Sequence, residues 1–159
     1  MAALHEAGHA VVTLAMGWRP GWARVGHANC LGRDGEYNAA VRGLDATKAH
    51  ERRLILACML AGLEAERRRS HRSVLELCAF GGAGGDYNAA VALVATSRRA
   101  PPDADAVARE IEAARKLSRD LVARHWRAVL AVAAELCARK QLSGAEIARL
   151  AGKKGAIAR

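Results

Sequence analysis

Leu4-His5-Glu6-Ala7-Gly8-His9-Ala10-Val11-Val12 is the stretch from which the rest of the chain can be read. On a helix four residues turn about 400°, so His5 and His9 stack on one face, one turn apart. Two imidazoles at that spacing can grip one zinc ion. Glu6, rotated about 100° from His5, is badly placed to bind the same ion but can reach a water on it. Three protein ligands and a water make a catalytic zinc site, in which the water's pKa falls to about 7. A carboxylate beside that water can take its proton as it attacks a carbonyl. The chemistry expected is peptide hydrolysis.

The bland alternative is a surface helix that carries His, Glu and His by chance. Val11, Val12 and Leu14 argue against it, because they mark a largely buried helix, a costly place for polar side chains without partners. Gly8 costs roughly 1 kcal/mol in a helix interior relative to Ala, which implies close packing against it. The helix should run from about Ala3 to Met16 and stop at Gly17. No capping residue precedes His5, so either a tertiary contact pins the first turn or the chain extends upstream.

Downstream, Gly17-Trp18-Arg19-Pro20-Gly21-Trp22 reads as a turn. Ala23 to Leu31 and Gly35 to Val41 alternate weakly around Gly32-Arg33-Asp34 and are expected to form a small β-hairpin. A strand edge beside a hydrolytic site can hold an extended peptide by main-chain hydrogen bonds. Asp45 and Thr47 offer caps for a long helix to about Arg69, with Leu54, Ile55, Cys58, Met59 and Leu63 at helical spacing. On its later part Glu66 is a candidate to orient a metal-bound histidine from behind, whereas Glu64 is expected to form an ordinary ion pair.

Gly81-Gly82-Ala83-Gly84-Gly85-Asp86 follows, with four glycines in five residues, a loop whose backbone can approach other groups closely. Asp86 opens the amphipathic run Tyr87 to Arg98, where its plain role is a helix N-cap. The third zinc ligand stays open between Asp86 and a glutamate on the preceding helix, Glu64 or Glu66. An extended motif with a third histidine six residues past His9 is excluded, since that position is Ala15 and its glycine position is Val12. His27, His50, His71 and His125 are scattered and are expected to be surface or core residues.

The 159 residues suit one domain, which at that size buries roughly 70% of the extended chain's surface. Residues 1–100 form the metal-site half and residues 101–159 a C-terminal helical part. Hydrophobic residues make up 52% but aromatics only 4%, which points to a mainly α domain packed through small side chains. No apolar run approaches the ~20 residues that span a bilayer, and no basic flank marks a signal peptide, so a cytoplasmic protein is expected. Cys30, Cys58, Cys78 and Cys137 lie far apart and are expected to be buried free thiols. The net charge of +9 gathers at Arg67-Arg68-Arg69, Arg98-Arg99 and Lys153-Lys154. Without aromatic interleaving or a nucleic-acid motif, solvated helix faces explain it better than nucleic acid does.

Three separated motifs carry a resemblance: His5-Glu6-Ala7-Gly8-His9-Ala10, Leu60-Ala61-Gly62-Leu63-Glu64-Ala65-Glu66 and Gly82-Ala83-Gly84-Gly85-Asp86. Together they resemble the peptidase domain of the FtsH-type ATP-dependent zinc proteases. The resemblance implies His5, His9 and Asp86 as zinc ligands, Glu6 as general base and Glu66 in a supporting role. It continues through a helix capped by Asp103 or Asp105 and ending near Arg124, a second helix through Trp126 and Leu136, and a closing short helix over Gln141–Ile147 capped by Ser143. The chain departs from the family at Leu63, where the family has Arg, at Gly84-Gly85 before the aspartate, and in a far shorter segment from Ser97 to Asp103. No Gly-x-x-x-x-Gly-Lys-Ser/Thr loop is present, so this chain has no ATPase module of its own.

The function expected is a zinc-dependent metalloendopeptidase acting on peptides or unfolded proteins, with room for homo-oligomers and for an ATPase acting in trans. The alternatives are a degenerate relative that binds peptides or a partner without cutting, and a basic helical nucleic-acid binder.

Overall fold

A computed structural model describes residues 1–26, 35–39, 43–80, 82–98 and 102–153. Of the residues singled out above, His27, Cys30, Gly32, Arg33, Asp34, Gly81, Arg99 and Lys154 lie outside these, as do the expected strand portions 27–31 and 40–41. The fold is mainly α. Eight helices are described: α1 (Ala2–Ala15), α2 (Ala49–Met59), α3 (Ala61–Ser70), α4 (Val74–Phe80), α5 (Gly84–Thr96), α6 (Ala104–Arg124), α7 (Trp126–Arg139) and α8 (Gly144–Lys153). Three short strands accompany them: β1 (Pro20–Val25), β2 (Gly35–Ala39) and β3 (Gln141–Ser143). Among the described residues no helix is long and apolar enough to cross a membrane.

Helix α1 is buried along almost its whole length, from Ala2 through Thr13, with only Leu4 partly exposed. Its uncapped first turn is covered by tertiary packing at Ala2 and Ala3, and the helix as a whole lies mostly against α3 and α7. Gly17 ends it with φ +84°, a left-handed conformation that glycine adopts without steric cost.

The chain is already extended at Pro20, inside the segment expected to be a turn. β1 pairs antiparallel with β2, Ala23 opposite Tyr37 and Val25 opposite Gly35. On its other edge β1 pairs with β3, Ala23 opposite Leu142. The hairpin is thus a three-stranded sheet in the order β2-β1-β3. The stretch read as the start of the closing helix first makes a three-residue strand, because Leu142 is buried against the core. Ser143 then caps α8 in a reciprocal box, its backbone N–H donating to Glu146 at 2.8 Å while its Oγ accepts from the Glu146 N–H at 3.4 Å.

The single long helix expected to reach Arg69 is two helices, broken at Leu60 (φ −95°, ψ 2°). Asp45 does not cap it. Its carboxylate accepts from Thr47 in a local turn, and Lys48 precedes the first helical residue. The break lets α3 lie close against α1. A Cβ built on Gly8 would come within 2.6 Å of the Ala61 carbonyl oxygen and 2.8 Å of the Ala65 methyl, so only glycine permits this crossing. Helix α6 starts as expected, with Asp103 accepting from the Ala106 N–H at 2.5 Å.

Two apolar clusters fill the interior. The first joins α1, the sheet, α7 and α8 through Val11, Val12, Val129, Val132, Leu136, Leu142 and Ile147. The second joins α2, α4, α5 and α6 through Leu56, Leu77, Ala90, Val94 and Ile111. Each fully buried leucine contributes about 1.5–3 kcal/mol. Helix α3 supplies both, with Ala61 and Ala65 facing the first cluster and Leu63 the second. Leu63, where the family motif has Arg, is thus a core side chain with no exposed surface.

Candidate metal centre

The seam between the two clusters holds the polar groups. His5 and His9 project from α1 with their side chains 8% exposed, and Asp86 reaches them from the first turn of α5 with 38% exposed. The site is therefore closed on the histidine side and open on the aspartate side. Asp86 is not the cap of its helix. α5 begins two residues earlier, at Gly84, and Ala83 precedes it, which leaves the Asp86 carboxylate unused by the backbone and turned to the histidines.

The His5 Nδ1–H donates to Glu66 Oε1 at 3.0 Å, and the His9 Nδ1–H donates to the Cys58 carbonyl oxygen at 2.7 Å. A carbonyl oxygen can only accept, so the contact sets the tautomer of a neutral His9. With both rings neutral and protonated at Nδ1, the two Nε2 atoms offer their lone pairs toward Asp86. They lie 3.0 Å apart, and Asp86 Oδ2 sits 2.8 Å from the His5 Nε2 and 3.1 Å from the His9 Nε2. Three acceptors converging at that distance repel one another unless positive charge lies among them, either a metal ion or the proton that His5 takes up without one. Zinc bonds of 2.0–2.1 Å in a tetrahedron would set such donors about 3.3 Å apart, a few tenths of an ångström wider than found. Two nitrogens and one carboxylate oxygen, each oriented from behind, fit that metal. Among the described residues this is where His, Cys, Asp or Glu ligand atoms gather closely enough to hold one ion, all within 4.8 Å.

The protonation of the site shows the same demand for positive charge. Burial alone lowers the His5 pKa, but hydrogen bonds to Asp86 and Glu66 and the charges of Glu6 and Asp86 outweigh it and raise it to about 10. Burial opposes the Asp86 charge, yet its contacts with His5 and His9 hold the carboxyl well below the usual carboxylate range. Glu6 is 5% exposed and has no hydrogen-bond partner among the described residues. Burial raises its pKa, partly offset by the charges of His9 and His5, which suits a group that must take up a proton.

Glu66 is buried behind His5, as a group that orients the ring. Ser70 Oγ donates to its backbone oxygen at 2.8 Å and leaves its carboxylate to the histidine. Glu64 faces away and pairs with Arg115 at 2.9 Å and Arg67 at 3.4 Å. His50 and His71 are exposed, His125 is half-buried, and none joins the cluster. Sequence reasoning did not single out two contributors. The Cys58 carbonyl that sets the His9 tautomer is backbone and leaves no residue-type signal. Gly62 does leave one: a Cβ built there would lie 2.5 Å from the His5 ring, so the imidazole fills the space a side chain would take.

No family model matches the chain, and no curated protein matches it either.

Proposed function

We propose that this chain is a zinc-dependent metalloendopeptidase that hydrolyses peptide bonds in peptides or unfolded protein segments. The observation that supports it most is the meeting of the His5 Nε2, His9 Nε2 and Asp86 Oδ2 within 3.1 Å of one another, with both Nδ1 atoms engaged elsewhere. A zinc ion held there would supply Lewis acidity and an acidified water. His5, His9 and Asp86 hold it. Glu66 and the Cys58 carbonyl keep the two imidazoles in the binding tautomer. Glu6 takes the proton from the water and passes it to the leaving amine. The open side at Asp86 is where substrate enters. The likeness of the three motifs to FtsH-type peptidases supports the same roles, and on that likeness rest self-association and an ATPase working in trans. A cytoplasmic setting agrees with Cys58 and Cys78 being free thiols.

Glu6→Gln tests the assignment. The variant should keep its zinc and lose about 10²–10⁴-fold in cleavage of unfolded casein, the range general acid–base groups contribute. Undiminished, chelator-sensitive cleavage by Glu6→Gln would refute the role of Glu6. Full zinc occupancy with no casein cleavage by the wild-type chain would identify a relative that binds peptides without cutting them.

A further inference from the structure

The arginine run of α3, which the metal centre does not use, lines a cavity of about 730 Å³ between the carboxyl end of α3 and the α6–α7 turn. Its walls carry Arg67, Arg68, Arg69, Arg72, Arg119 and Trp126. Glu64 is the carboxylate on the wall, and its charge is already met by Arg115 and Arg67. Arg119 reaches Glu112 at 3.3 Å. Arg68, Arg69 and Arg72 make no ion pair within 4 Å among the described residues, although the Arg72 charge reaches the Glu76 carboxylate. Elsewhere Arg52 and Arg98 share Glu110, Arg139 meets Glu146 and Arg24 meets Glu36, whereas Arg53, Arg109 and Arg127 stand singly without an ion pair among the described residues; the cavity differs in gathering several such cations in one hollow.

The backbone brings these cations together. α3 ends at His71 in the left-handed conformation, φ 59°, an uncommon state for a residue with a side chain, and Arg72 then lines the same cavity as the arginines of the last turn. The Arg68 guanidinium lies over the Trp126 ring, 5.1 Å from its centroid, which restrains the side chain and leaves its N–H edge free. Gathered like charges raise the free energy of the empty cavity, and an oxyanion relieves it.

We propose that this cavity binds a small compound carrying a multiply charged phosphate group, such as a diphosphate. Guanidinium forks match phosphate oxygens two at a time. Three unmatched cations in one hollow suit an anion of charge −3 better than a single carboxylate. A volume of about 730 Å³ falls in the ordinary range for a small-molecule site. A nucleic acid would need a basic stripe with several stacking rings, and the described lining offers the Trp126 indole and the His71 imidazole.

The site is independent of the metallopeptidase reading, and its test keeps the two apart. Inorganic pyrophosphate is titrated into the full chain and followed by calorimetry and tryptophan fluorescence. The same titration is run on Asp86→Ala, so that chelation at the histidine site is not mistaken for binding. Saturable binding near one per chain is expected in both. Arg68→Ala combined with Arg72→Ala should weaken it at least tenfold, while Arg109→Ala, exposed on α6 outside the cavity, should change it less than twofold. The proposal is overturned by absence of saturable binding, by equal weakening in Arg109→Ala, or by tighter binding of a poly-glutamate peptide or an oligonucleotide than of pyrophosphate.

Discussion

Glu64 and Glu66 stand two residues apart on α3, each 2% exposed, and they show what separates scaffold from site in this molecule. Glu64 looks toward α6 and is met by a permanent cation, the Arg115 guanidinium at 2.9 Å. Glu66 looks toward α1 and is met by an imidazole, whose charge depends on what its other nitrogen holds. A buried carboxylate needs a partner on either face. Only on the α1 face does meeting that need also prepare a ligand for something outside the chain. One face of the helix is finished by folding, whereas the other, on the proposed reading, is finished by binding.

The largest effect should come from breaking the finished face. Arg115→Ala removes the main partner of Glu64 and should cost about 3–5 kcal/mol of stability in urea unfolding while leaving metal content per folded chain unchanged. Next is Glu66→Gln, which keeps shape but loses the charge behind His5. Zinc affinity should fall about 10–100-fold, measured by competition with a chromophoric chelator, and the unfolding midpoint of the metal-free protein should move less than for Arg115→Ala. If Glu66→Gln costs more metal-free stability than Arg115→Ala and leaves zinc affinity intact, the contrast between the two faces is wrong.

Gly62→Ala sharpens the comparison on the site face. The new methyl would press on the His5 ring, so overpacking should cost about 1–3 kcal/mol and zinc affinity should drop with it. Gly85→Ala, where an added Cβ meets nothing within 4 Å, is its control. The smallest effect concerns Cys58, whose carbonyl serves His9 while its thiol accepts from Thr13 at 3.7 Å and donates to the Met16 sulfur at 3.5 Å. Burial pushes that thiol up to about 11. At pH 8 about one molecule in a thousand is thiolate, so iodoacetamide should label Cys58 far more slowly than an ordinary cysteine of pKa ~8.5. Fast labelling in the folded protein would show that the α1–α2 contact opens readily.

The parts legible in the sequence are those set by local periodicity. His5 and His9 four apart place two imidazoles on one face whatever the rest of the chain does, and Asp103 and Ser143 announce the helices they cap. Asp86 is different. It lies 77 residues from His9, and nothing in its own neighbourhood distinguishes a ligand from a helix cap; only the likeness of three motifs favours it over Glu64 and Glu66. Helix α4 was not anticipated, although Ser73 and Glu76 form a reciprocal capping box at its start. The break at Leu60 and the strand at Gln141–Ser143 had no local signal, because α1 and β1, the partners that shape them, lie far away in sequence.

The most direct test is the metal content of the chain purified without added zinc, measured by plasma mass spectrometry beside Asp86→Ala. About one zinc per chain in the wild type and a small fraction of that in Asp86→Ala is the expected result. A metal-free wild type that also fails to take up zinc on addition, or an Asp86→Ala variant that holds zinc as tightly, would contradict a centre built from α1 and the first turn of α5.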